Sequence, residues 1–152
     1  MNPETRLAEL GLSLPAARTP RASYVLTSRA GDLIFVAGHV AIREDGSVVA
    51  GKFGRDLTIE EGYAAARLTA LGILASLKAE LGDLGRVQRI VRLLCMVNCT
   101  EDFGDQAFVA NGASDLLIEL FGEAGKHTRA AVGMAALPRG ACVEIEAVVL
   151  AP

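Results

Sequence analysis

Near the C-terminal end, two apolar runs flank a Pro-Gly break, and both carry charge where a core strand would carry none. The first run is His127-Thr128-Arg129-Ala130-Ala131-Val132-Gly133. The break is Leu137-Pro138-Arg139-Gly140, and the second run is Val143-Glu144-Ile145-Glu146-Ala147-Val148-Val149. Such punctuation between β-forming residues predicts a strand, a tight turn and a second strand paired as a hairpin. Alternation along a strand sends Val143, Ile145 and Ala147 to one face and Glu144 and Glu146 to the other. With the turn near Arg139, Arg129 pairs close to position 149 and Glu144 close to 134. The offset is roughly 15 Å at strand rise. Arg129 and Glu144 are then not cross-strand neighbours, and a site using both must combine chains or bend the hairpin at a bulge. A buried unpaired charge is costly, so Arg129 requires either a protein carboxylate or an external anion.

The rest of the chain supplies one domain to hold that hairpin. Its 152 residues are enough for a full core. Hydrophobic residues make up 51% and aromatics only 5%, so small side chains must pack closely, with apolar surface left over for contact between subunits. A net charge of −3 without a basic run argues against a dedicated nucleic-acid binder. Cys95, Cys99 and Cys142 are an odd set without a signal peptide, which predicts reduced, buried thiols in a cytoplasmic protein. No apolar run is long enough for a membrane span.

In chain order, Asn2-Pro3-Glu4 predicts a helix start ending at Gly11, and residues 13 to 22 a surface arm. Residues 1 to 22 are thus set apart from a domain over 23 to 152. Ser23 to Ser28 and Leu33 to Val40 predict a β-hairpin, and Ser47 to Ala50 a short strand. Gly38 in the apolar strand suggests a bulge or a close backbone approach. Thr58 with Glu61 forms a capping box ahead of Leu68, Leu71, Leu74 and Leu77, predicting a helix to Leu81 closed by Gly82. Val87 to Asn98 reads as a strand, and Glu101-Asp102-Phe103 as the start of a second helix to Phe121. Two helices on one face of a mixed sheet make an α+β domain, with a partner chain expected on the other face.

No Gly-rich phosphate loop, His-x-x-x-His, Cys-x-x-Cys or Gly-x-Ser-x-Gly is present. His39 and His127 are the only histidines, so neither a metal nor an organic cofactor is expected.

Arg129, Leu137-Pro138 and Val143-Glu144-Ile145-Glu146-Ala147 together resemble the C-terminal signature of the RidA/YjgF family. These are imine deaminases, formerly called endoribonucleases of the L-PSP type. Tyr24 followed by Leu33-Ile34-Phe35-Val36-Ala37-Gly38-His39-Val40 resembles the family's N-terminal segment. The similarity runs over roughly residues 20 to 150. Asn111-Gly112-Ala113-Ser114-Asp115-Leu116 and Gly125-Lys126-His127-Thr128-Arg129 look like a divergent branch. The resemblance implies a chorismate-mutase-like fold and a homotrimer with pockets at the subunit clefts. It implies that Arg129 grips the carboxylate of a small 2-imino or 2-keto acid and that Glu144 positions the attacking water. Tyr24 and the Gly38 backbone would line the pocket, and Asn111 or Ser114 would stand where the family has a helix Asn. Ala130-Ala131 replaces the Ser-Cys of the better-known deaminases, and His39 replaces an amide side chain. Hydrolytic deamination of 2-imino acids is the function implied. A non-enzymatic trimeric binder of small carboxylates is the alternative, and an endoribonuclease the third.

Overall fold

The computed structural model describes residues 2–152. Helix α1 (Pro3–Glu9) starts where the Asn2 side chain accepts the Glu4 amide, and it buries Leu7. An irregular arm then leads into β1 (Thr27–Ala30) and β2 (Leu33–Val40). Helix α2 (Ile59–Leu81) opens on the full Thr58–Glu61 capping box, and Gly82 closes it with a positive φ. Next come β3 (Arg89–Asn98), α3 (Gln106–Phe121), β4 (Thr128–Met134) and β5 (Val143–Leu150). Helix α3 begins later than Glu101 because that stretch forms a turn, in which Thr100 Oγ1 donates to Asp102.

The five strands lie in the order β1-β2-β5-β3-β4. β3 and β4 run parallel and every other pair is antiparallel. The expected hairpin between the two C-terminal runs is therefore overturned, because β3 lies between β4 and β5. Arg129 is level with Leu93 of β3, and Glu144 pairs with Met96 of β3 and Val40 of β2. The Pro138–Gly140 break is a 3-10 turn bridging two strands that never touch. Adjacency of strands is a non-local choice that the turn residues do not control. The N-terminal hairpin forms, but it starts at Thr27, leaving Tyr24 in the arm. Residues 47 to 50 make only isolated bridges, Ile42 with Val48 and Ala50 with Ala141.

Both α2 and α3 pack on one face of the sheet, α2 over β2 and β5, α3 over β3 and β4. Val143, Ile145, Ala147 and Val149 of β5 meet Leu93, Cys95 and Val97 of β3 beneath them, all buried. The two helices touch closely at Gly112, where an added Cβ would lie 1.9 Å from the Tyr63 carbonyl oxygen. Among the described residues no layer covers the opposite face of the sheet. Phe35 (46% exposed) and Val132 (40% exposed) stand on it beside Leu94, Met96 and Val148. The three cysteines are buried and unpaired. Among the described residues, no helix is long and apolar enough to cross a membrane.

Candidate functional site

A bulge in β2 shapes the pocket in front of Glu144 on the open face. Val36 pairs with Ala147, but His39 pairs with Ile145, so two residues of β2 oppose one of β5. Gly38 lies in that extra stretch, and its backbone rests on Glu144. An added Cβ would sit 3.0 Å from the Glu144 carboxyl carbon. Bulge and close approach, the two readings of Gly38, are both realised. Burial pushes the Glu144 pKa up, and the neighbouring Glu146 carboxylate pushes it further in the same direction.

A cavity of about 540 Å³ opens in front of Glu144, bounded by Gly38, Tyr24 and Pro138. Arg18 and Arg21 of the arm line it too, as does Arg139 from the turn before β5. None of these three arginines is among the site residues that the sequence suggests. A signal existed: from Leu10 to Gly31 there is no Asp or Glu, while Arg18, Arg21 and Arg29 all occur there.

Arg129 belongs to a second cluster. Helix α3 presents Ala107, Asn111 and Ser114 at positions i, i+4 and i+7, one stripe of its surface. Arg129 Nη1 donates to Asn111 Oδ1 at 2.9 Å and to Ser114 Oγ at 3.0 Å, and Nη2 donates to the Ala107 carbonyl at 3.4 Å. Asn111 and Ser114 thus both hold the guanidinium. Ser114 Oγ also lies 2.9 Å from His127 Nε2, and His127 Nδ1 lies 2.6 Å from the Gly125 carbonyl. The carbonyl can only accept, so Nδ1 carries the proton and Nε2 takes the serine hydroxyl's hydrogen bond. Burial pushes the His127 pKa down, and Arg129 adds to that shift.

His39 is a core residue. Its Nδ1 donates to the Ala37 carbonyl at 2.6 Å, and its Nε2 lies 2.8 Å from Ser76 Oγ of α2. Burial lowers its pKa as well. Burial thus biases both histidines towards the neutral form, and both ring nitrogens of each are occupied, so His39, which also lines the Glu144 pocket, has no free nitrogen to offer there.

Within the chain the two clusters do not meet. Arg129 is level with buried Leu93 and so projects to the helix face, while Glu144 is level with Met96 on the open face. Two strand spacings separate β4 from β5, roughly 10 Å. The three-residue step from Ala147 to Glu144 adds a further offset of roughly 10 Å along the strand. Tyr24 and Gly38 share the Glu144 cluster; Asn111 and Ser114 share that of Arg129. No group of three or more His, Cys, Asp or Glu residues that could hold a metal ion occurs among the described residues.

Comparison with known proteins sets this geometry in context. The family model described as "YjgF/chorismate_mutase-like, putative endoribonuclease" matches residues 4–146. Protein TCP17 of Trypanosoma cruzi is 46% identical over 144 residues, which cover 94% of this chain and 90% of that protein. A crystal structure of unknown function from Agrobacterium tumefaciens is 42% identical with a TM-score of 0.92, covering 99% of this chain and 92% of the other. One from Shewanella oneidensis, described as a putative endoribonuclease, is 33% identical with a TM-score of 0.94 and 99% coverage of both chains. A RidA structure from Psychrobacter shares the fold at a TM-score of 0.62, with 22% identity and coverage of 88% and 93%.

Proposed function

The chain belongs to the YjgF/chorismate-mutase-like family that includes RidA, in a divergent branch, and we propose that it hydrolyses small 2-imino acids to 2-keto acids and ammonia. The state of Arg129 carries this reading. Its guanidinium is oriented by an amide oxygen, a hydroxyl and a backbone carbonyl, all neutral. Among the described residues it has no carboxylate partner. A planar fork so held keeps its charge for an incoming carboxylate, which it can bind through two donors.

Separation of Arg129 from Glu144 within the protomer supports a site shared by two copies. One copy would give Arg129, Asn111 and Ser114, and the next Glu144, Tyr24 and the Gly38 backbone. The uncovered apolar face of the sheet supports a homotrimer as the assembly that brings them together. The buried, reduced cysteines fit a cytoplasmic setting.

With the substrate carboxylate on Arg129, water adds to the imine carbon. Glu144 accepts a proton from that water as the C–O bond forms. The C=N π pair moves to nitrogen, which takes that proton back from Glu144, giving a neutral carbinolamine and an ionised Glu144. Glu144 then takes the carbinolamine hydroxyl proton and passes it to the nitrogen as the carbonyl forms and the C–N bond breaks, so that neutral ammonia leaves and the carboxylate is regenerated. A carboxylate whose pKa is raised by burial suits both transfers.

One observation favours a second reading, a binder without turnover. Ala131 shares the Arg129 face and offers only a methyl group. The endoribonuclease description finds less support, since burial biases both histidines towards the neutral form and both are internally bonded.

The test is ammonia release from enzymatically generated 2-iminobutyrate. Arg129→Ala should lower kcat/KM by about a hundredfold or more, the scale of losing a charge-assisted anchor. A variant as active as the parent removes the anchor. Thermal stabilisation by 2-keto acids without ammonia release would leave the binder reading.

A further inference from the structure

Three guanidiniums converge on the pocket in front of Glu144 with no counter-charge of their own. Arg6, Arg29, Arg55 and Arg67 each have an Asp or Glu partner within 3.5 Å. Among the described residues Arg18, Arg21 and Arg139 have none; Arg43, Arg86, Arg89, Arg92 and Arg129 also lack one, but only the first three line this pocket. Among the described residues Glu144 is the only acid lining that pocket, and its own environment works against its ionised form. Arg18 is pushed below its usual pKa by burial first and then by Arg139 and Arg21. Mutual repulsion of this kind is relieved by an anion lying between the cations.

Backbone strain at one member of the trio is an independent observation. Arg139, at φ 57°, is the only non-glycine residue with positive φ among those described. An arginine has no steric reason to occupy the left-handed region, and such outliers concentrate at ligand-binding and catalytic positions. The cavity of about 540 Å³ has the size of a small-molecule site, and the chain as a whole carries a net charge of −3, which disfavours a nucleic-acid track.

We propose that Arg18, Arg21 and Arg139 bind a second anionic group of the substrate, a carboxylate or a phosphate, so that this protein acts on dianionic 2-imino acids rather than simple aliphatic ones. The imino end rests on the deamination reading above, and the second anion rests on the arginine trio alone.

Calorimetric titration separates the two. The ligands are 2-oxobutyrate with one anionic group, 2-oxoglutarate with a second carboxylate, 3-phosphohydroxypyruvate with a phosphate, and inorganic pyrophosphate. At least one dianionic keto acid should bind the parent about tenfold more tightly than 2-oxobutyrate, as expected for one added charge-assisted contact. In Arg18→Gln/Arg139→Gln that ratio should fall below about threefold. Whichever dianion gains more identifies the second group. A parent ratio near one overturns the proposal, as does a ratio unchanged in the variant. Should no keto acid bind while pyrophosphate binds only the parent, deamination fails and the anion pocket stands. Binding of no anion, or of an oligoribonucleotide alone, overturns the pocket. Circular dichroism and mass establish that the double variant folds; if it does not, exposed Arg21→Gln alone is read by the same ratio.

Discussion

Gly38 lies so close to Glu144 that a single methyl group would touch the acid's carboxyl carbon at 3.0 Å. The obstacle is the far end of a flexible side chain, so the carboxylate would swing away before the backbone moved. Gly38→Ala should therefore change stability by less than about 1 kcal/mol. It should lower kcat for imine hydrolysis by about tenfold to a hundredfold, because a small displacement of a catalytic group is enough. Thermal unfolding and ammonia release measured on one sample check both halves. Full activity would mean that the position of Glu144 does not matter.

Glu146 is the charged neighbour that helps burial to raise the Glu144 pKa. Replacing it by Gln removes the repulsion and should move the acid limb of the kcat/KM profile to lower pH. The stability effect has the sign opposite to that of an ion-paired carboxylate. With its folded pKa above the unfolded value, Glu144 binds more protons in the native state. Its contribution is present below the unfolded pKa and is lost as pH rises through the folded one. Glu146→Gln should narrow that loss, measured by denaturant unfolding from pH 4 to 8. An unmoved acid limb would show that Glu144 is not the titrating group.

Arg129 and Glu144 project from opposite faces of one sheet. If two protomers complete each site, Arg129→Ala and Glu144→Gln should each be inactive alone and regain activity when mixed. Random mixing in equal amounts, with refolding, should restore about a quarter of the parental sites, since each needs an intact Arg from one chain and an intact Glu from the next. No recovery in verified mixed oligomers would rule out the shared site.

Gly112 permits the approach of α2 and α3, with Tyr63 and Arg67 backbone atoms 1.9 Å and 3.1 Å from any added Cβ. Gly112→Ala would force the helices apart and shift its neighbours Asn111 and Ser114. The gain in helix propensity, about 1 kcal/mol, offsets part of the overpacking cost. A net loss of about 2 kcal/mol is expected, or roughly 4–8 °C in Tm for a chain of this size. Calorimetry is the check.

Local chemistry was legible in the sequence wherever it acts locally. Asn2, the Thr58–Glu61 box and Gly82 delimit helices through hydrogen bonds a few residues long, and the structure keeps each of them. The helix stripe behind Arg129 was visible to the extent that Asn111 and Ser114 were both candidates. Pairing of the last strands was not legible. Leu137-Pro138-Arg139-Gly140 has the composition of a hairpin turn, and only the competing edge of β3, some forty residues earlier, decides otherwise. Arg18 and Arg21 escaped for a related reason: an arm without periodicity gives no hint of which cavity it crosses.

The strand order has an outcome for how the molecule is made. β5, last in the chain, lies at the centre of the sheet, joining β1-β2 on one side to β3-β4 on the other. Until it emerges from the ribosome, the nascent polypeptide holds two disconnected strand pairs that share no ladder. Addition of β5 should thus close the sheet in one all-or-none step, and a chain stopped ahead of Val143 should show no cooperative melting.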